Sequence, residues 1–203
     1  IEYMNIVFRV DSSIQIGAGH VMRCLTLAKE LKKNGKVQFI CRNRKGNLIN
    51  KIESEGFKVF KLNQEAAKDN IDELSAIDWL GTTQEKDALE CINILKKIKP
   101  DWLIVDHYGI DKYWHERLDK FSKKLLVIDD LANRKYKCDI LLDQNFYLDV
   151  NARYKKLVLN KCKLLLGPKY ALLREEFLTK RSNLRNTEVT NILVYFGGSD
   201  IKN

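Results

Sequence analysis

The 203-residue sequence has no apolar stretch approaching the roughly 18 residues that a membrane helix requires. Residues 1–10 carry charges and lack the uninterrupted apolar core of a secretory signal, so neither export nor membrane insertion is expected. No run of five or more basic residues occurs, although 36 Lys and Arg stand against 27 Asp and Glu and leave a formal charge of +9. A positive excess scattered over solvated faces does not make a nucleic-acid groove, and no such partner is expected. The five cysteines (Cys24, Cys41, Cys91, Cys138, Cys162) include no C-x-x-C pair. That spacing argues against a zinc or redox motif and for reduced thiols in a cytoplasmic protein.

What is present is an alternation of short apolar runs and helix-period stretches. Asn5–Val10 is β-branched, apolar and followed by polar turn residues, the pattern of a buried strand. Val21, Cys24, Leu25, Ala28 and Leu31 then fall on one helical stripe that Asn34-Gly35 closes. Further strands are expected at Val37–Cys41, Phe57–Phe60, Asp101–Asp106, Leu125–Asp130 and Ile140–Asp143. Helices are expected around 48–54 and 84–98, the second stopped by Pro100. Phe57–Phe60 alternates and reads as a strand near the sheet edge. The order βαβαβ implies a Rossmann-like α/β fold, a parallel sheet with helices on both faces.

Residues 4–186 read as one such domain, with Met4 as the expected native start and Ile1-Glu2-Tyr3 as an upstream extension. Residues 183–190 are polar and read as a linker. Ile192–Phe196 then looks like a strand, and Gly197-Gly198-Ser199-Asp200 like the glycine turn that opens a nucleotide-binding unit. A lone strand cannot make a domain, so 190–203 is expected to be the start of a truncated second one.

Open parallel sheets bind ligands at the carboxyl ends of their strands. Three expected strands end there in polar residues: Asp11-Ser12-Ser13, Asp106-His107-Tyr108 and Asp129-Asp130. Gly17-Ala18-Gly19-His20 follows the first strand and opens a helix, where backbone N–H groups can face an anion. Its G-x-G-H spacing is not that of a dinucleotide loop. A neutral imidazole at a helix N-terminus can accept a proton, which marks His20 as a candidate general base. Arg23, one turn on, could face phosphate or pair with a carboxylate such as Asp11. Tyr108 and His107 could position substrate or water, although a strand-end tyrosine can equally be packing. Asp129-Asp130 could hold a metal, but no third ligand is evident and none is expected. Asn145, Tyr147 and Arg174 are further polar candidates. Leu173 and Phe177 share a helical face and read as packing, and Arg174 could reach a ligand or pair with a Glu.

Arg9–Arg23, Asp106–Ile110, Cys138–Leu142, Tyr170–Phe177 and Gly197–Asn203 together resemble the UDP-sugar hydrolases of pseudaminic acid biosynthesis, relatives of spore-coat polysaccharide proteins. The resemblance implies a GT-B-like pair of Rossmann-type domains around a cleft. It implies inverting attack of water on the anomeric carbon, release of UDP, and no metal or cofactor. The family's catalytic histidine falls on His20 and its active-site tyrosine on Tyr108. Asp11, Gly17, Gly19, Arg23, His107, Asn145 and Arg174 are then candidates for substrate binding, and Gly197, Gly198 and Asp200 for the nucleotide. A cytoplasmic monomer serving flagellin glycosylation would follow. A GT-B glycosyltransferase, a non-catalytic nucleotide-sugar binding protein and a hydrolysing epimerase are the competing readings.

Overall fold

A computed structural model describes residues 3–63, 79–179, and positions 192 and 194. Seven strands form one sheet in the order β3-β2-β1-β4-β5-β6-β7, every neighbouring pair parallel. They are β1 (Met4–Val10), β2 (Gly35–Arg42), β3 (Lys58–Leu62), β4 (Trp102–Asp106), β5 (Lys124–Ile128), β6 (Ile140–Asp143) and β7 (Lys163–Leu166). The helices are α1 (Gly19–Leu31), α2 (Ile49–Ser54), α3 (Gln84–Ile98), α4 (Lys112–Leu118), α5 (Val150–Tyr154) and α6 (Glu176–Thr179). The sheet runs outward from β1 in one direction through β2 and β3, and in the other from β4. The crevice between β1 and β4 is therefore its switch point.

Side-chain alternation along the strands sends each residue to one of two cores. Ile6, Phe8 and Val10 of β1 and Ile104 of β4 pack with Val21, Cys24, Leu25 and Ala28 of α1 and with Ile49 and Ile52 of α2. Val7, Leu103, Val105 and Val127 pack on the opposite side with Ala88, Cys91 and Leu95 of α3 and Trp114 and Leu118 of α4. Helices thus cover both faces, as the sequence pattern implies. β1 is buried from Ile6 onward, as a strand with a helix on each side must be.

Local signals set the helix ends. Thr83 caps α3 by accepting from the Lys86 N–H, and Lys99 ends it in the left-handed region just before Pro100. Asp111 caps α4 through the Tyr113 N–H. β7, which the sequence pattern does not reveal, adds a strand of only four residues beyond β6. All five cysteines are free, and four are buried; Cys138 and Cys162 nevertheless bring their sulfurs to 3.6 Å. Among the described residues no helix is long and apolar enough to cross a membrane. The Ile192–Phe196 strand and the turn at Gly197, Gly198 and Asp200 lie outside the stretch where secondary structure is described.

One expectation is overturned. Leu173 and Phe177 are each 57% exposed, because residues 171–175 are not helical and α6 begins only at Glu176. Without a helix across both positions, the face they were to share does not form.

Candidate active site at the switch point

The loop from Asp11 to Ala18 folds on itself before α1 begins. Gly17, at φ 78°, donates its N–H to the Ser13 carbonyl at 2.8 Å, and the Ile16 N–H donates to Ser13 Oγ at 3.0 Å. The Gly17 N–H is thereby spent inside the loop and does not face an anion, contrary to the simple reading of a glycine turn. Gly19 differs: it is exposed, and a Cβ there would meet nothing within 4 Å. No side chain caps the start of α1, so this first turn stays open on its outer side.

Asp106 lies two residues beyond Ile104 and shares its face, so it points toward α1. There it is met by two α1 side chains three residues apart, on one helical face. His20 Nδ1 lies 2.6 Å from Asp106 Oδ1. Arg23 donates to both Asp106 oxygens, from Nε at 2.5 Å and from Nη2 at 2.6 Å. Its Nη1 reaches Asp130 Oδ2, beyond β5, at 3.1 Å. The Tyr108 hydroxyl donates to the other Asp130 oxygen, and the Cys24 thiol contacts Asp106 from below. The Asp130 carbonyl accepts from Tyr147 Oη and from Arg153.

These contacts settle the tautomer of His20. Burial alone would keep Asp106 neutral, but its contacts with His20 and Arg23 outweigh it and hold the carboxyl well below the usual range. An ionised carboxylate only accepts, so His20 carries its proton on Nδ1 and leaves the Nε2 lone pair unprotonated in the neutral ring. Nδ1 also lies 3.2 Å from Arg23 Nη2, which makes that contact an approach of two donors to one acceptor rather than a bond. His20 Nε2 has no hydrogen-bond partner among the described residues. Unlike the Nε2 atoms of His107 and His115, it is not sealed from solvent. Burial, reinforced by Asp130, raises the Tyr108 hydroxyl above its ordinary value and keeps it protonated. Its ring meets the His20 ring edge to face at 4.4 Å between centroids. The arrangement offers a proton acceptor oriented by a carboxylate, beside a cation and a phenol.

A second ionic network lies on the opposite face. Arg9, wholly buried, binds Asp11 through Nη1 at 2.5 Å and Nη2 at 2.9 Å, and Asp87 of α3 through Nη2 at 2.6 Å and Nε at 3.1 Å. Arg42 Nη2 reaches Asp87 at 2.7 Å and Glu90 at 2.6 Å, and the Arg42 N–H donates to Asp11 at 2.7 Å. Trp114 Nε1 donates to Asp87 at 2.9 Å. His107 Nδ1 accepts the Gly109 N–H at 2.9 Å, so its proton sits on Nε2, 3.2 Å from Asp11. Burial lowers the His107 pKa against the pull of Asp11 and leaves the ring neutral.

The strand parity thus sorts the expected residues. His20, Arg23 and Tyr108 come together at the open end of the sheet. Asp11 and His107 turn to the α3 face, so Arg23 pairs with Asp106 and Asp130 and not with Asp11. Asn145, half-buried, donates its N–H to Asp143 beyond β6, and Tyr147 beside it reaches Asp130. Arg174 is exposed and binds Glu176 at 2.8 Å. Asp129 and Asp130 do not act as a pair. Asp129 is 2.8 Å from Arg134 and accepts from Tyr154 at 3.0 Å, while Asp130 serves Tyr108 and Arg23. No group of three or more potential metal ligands occurs among the described residues. Sequence reasoning missed Asp130 as a partner of Tyr108, and it missed Trp79, whose ring flanks both Tyr108 and His20.

The chain is 36% identical over 202 residues, 98% of its length, to the UDP-2,4-diacetamido-2,4,6-trideoxy-beta-L-altropyranose hydrolase of Campylobacter jejuni. It is 33% identical over 207 residues to an uncharacterized protein of Methanocaldococcus jannaschii. It spans 62% and 38% of these two proteins, less than two thirds of either. The likeness read from the motifs therefore extends along essentially the whole chain and matches part of a longer protein. A solved structure of MurG from Acinetobacter baumannii aligns with 80% of this chain and 44% of its own at a TM-score of 0.49 and 11% identity. No family model matches.

Proposed function

We propose that this chain forms the catalytic half of a UDP-sugar hydrolase in which His20 activates the attacking water. The observation that carries the reading is the His20–Asp106 contact at the switch point, which leaves Nε2 as an unoccupied, solvent-reaching acceptor. A sugar joined to UDP already has a good leaving group, so the difficult requirement is a nucleophile at neutral pH. General-base catalysis supplies on the order of a hundred- to ten-thousand-fold. Water held against Nε2 loses its proton to His20 as its oxygen bonds the anomeric carbon. The carbon–oxygen bond to UDP breaks on the opposite side, with inversion. Asp106 stabilises the imidazolium that results.

Tyr108 stays protonated through the cycle and serves to position rather than to exchange a proton. The open first turn of α1 at Gly19, with the Arg23 cation behind it, suits the approach of phosphate. The residues Gly197, Gly198 and Asp200 belong, in this reading, to a second Rossmann-type domain that closes the cleft in the GT-B manner and holds the uridine. The chemistry requires no metal. The similarity to the Campylobacter jejuni enzyme supports a UDP-linked diacetamido-trideoxy sugar as substrate and pseudaminic acid synthesis as the setting.

The test is NMR of the full-length protein with the UDP-sugar, following the anomeric proton. The expected outcome is UDP release without any sugar acceptor and an inverted free sugar. His20→Ala should lower turnover by at least about a hundred-fold while the protein stays folded. Turnover that survives this substitution, or that requires an added acceptor, overturns the reading.

A further inference from the structure

Trp79 is placed as part of the site by contacts that nothing in its local sequence announces. Its ring centroid lies 5.1 Å from that of Tyr108 and 6.5 Å from that of His20, the latter edge to face. The indole is only half-buried, so part of it reaches solvent beside the cluster that orients His20. Its backbone is held from the C-terminal side. The Trp79 carbonyl accepts from Arg44 Nη1, and the next side chain, Leu80, is fully buried in the α3-side core. Gly81 follows at φ 70°, where a Cβ would meet the Arg44 guanidinium at 3.3 Å. An aromatic ring left partly exposed and anchored beside a candidate base offers apolar area that a ligand could cover.

We propose that Trp79 is the apolar wall of the sugar subsite, and that it selects hexopyranoses bearing methyl-terminated substituents over fully hydroxylated ones. This inference rests on the UDP-sugar reading above and names which part of the substrate the chain recognises. A diacetamido-trideoxy hexose presents two acetamido methyls and a C6 methyl. Those groups can lie on an indole face, displacing its water, while the ring oxygen and anomeric carbon remain over His20 and Tyr108. A C6 hydroxyl in the same place would lose a hydrogen bond to water without gaining one from the ring.

The experiment measures binding by calorimetry in a His20→Asn background of the full-length protein, and KM and kcat in the parent. The ligands are UDP-2,4-diacetamido-2,4,6-trideoxy-β-L-altropyranose, UDP-N-acetylglucosamine and UDP alone. Trp79→Ala should weaken binding of the diacetamido sugar about five- to ten-fold and raise KM in proportion, with Trp79→Phe recovering most of the loss. The loss should be smaller for UDP-N-acetylglucosamine and absent for UDP, a pattern that a general structural defect would not produce. Equal affinity in Trp79→Ala, or an equal loss for all three ligands, overturns the proposal. A parent that binds the sugar through Trp79 but never cleaves it sinks the hydrolase reading and leaves the wall standing. A parent that cleaves it with KM indifferent to Trp79 does the reverse, and a parent that binds none of the three sinks both.

Discussion

Two clusters of arginine and aspartate stand on opposite faces of one sheet, and they differ in closure more than in composition. On the α3 face, Arg9, Asp11 and Asp87 are fully enclosed, and both cations meet two carboxylates each. On the α1 face, Arg23 and Asp130 keep side-chain exposures of 12% and 18%, and the imidazole they flank has a free nitrogen. Burying four charges is tolerable only when each is matched, and what the first cluster leaves unpaired, Arg42 Nε, is sealed from solvent. The second has unspent capacity, and unspent capacity at a strand end is what a site needs. Ionic character alone does not identify function; an unsatisfied remainder does.

Asp106→Asn is the most severe way to break this contrast. The amide can present its NH2 to His20 Nδ1, which forces the imidazole proton onto Nε2 and removes the acceptor. Turnover should fall on the order of a thousand-fold or more, read as kcat on protein shown to be folded. A drop of only a few-fold would mean that tautomer control is not what Asp106 provides. Asp87→Ala addresses the closed cluster. It leaves Arg9 with the Asp11 carboxylate alone and Arg42 with the Glu90 carboxylate alone, and should lower unfolding free energy by about 3–5 kcal/mol, measured in urea. A loss below about 1 kcal/mol would show that the cluster relaxes or admits water.

The smallest effect is one of pH, and it belongs to the α3 face. Burial, helped by the nearby Arg134 charge, pushes the His115 pKa down to about 3. His107 is lowered as well. Both folded pKa values lie below the unfolded value near 6.5, so the unfolded chain takes up protons first as pH falls. Their contribution is complete above pH 6.5 and is lost below it, at up to about 1.4 kcal/mol per pH unit for each ring. Between pH 6.5 and 4.5 the paired aspartates contribute in full and add little slope, because the unfolded carboxyls are largely ionised there. His115→Gln should reduce the slope of urea midpoint against pH in that window, and an unchanged slope would remove His115 from the account.

Much of the architecture was readable without coordinates because it is written in local patterns. The α3 helix announced itself through its period and Pro100, and β1 through the apolar Ile6, Val7, Phe8 and Val10. β7 escaped because three leucines between Lys163 and Gly167 carry no distinguishing period. At the site, His20 and Tyr108 were visible because each sits at a motif, a strand end or a glycine turn. Their partners were not: Asp106 meets His20 across 86 residues and Asp130 meets Arg23 across 107, separations that no window of periodicity spans. One signal was available and unused. An arginine inside an apolar strand, as at position 9, demands a buried counter-charge, and the aspartates at 11 and 87 were candidates for it.

Asp106 and His107 are adjacent, yet each belongs to a different cluster. One peptide unit is therefore fastened on both sides, to α1 through Asp106 and to Asp11 through His107. Such a joint makes the strand end a poor place for variation, since a substitution that retunes the chemistry also disturbs what keeps the sheet folded. Variation in substrate choice is better sought at positions outside both ionic clusters. Gly19 in the first turn of α1 and Trp79 are such positions. A directed library confined to them would explore new sugars while drawing little on the stability of the scaffold.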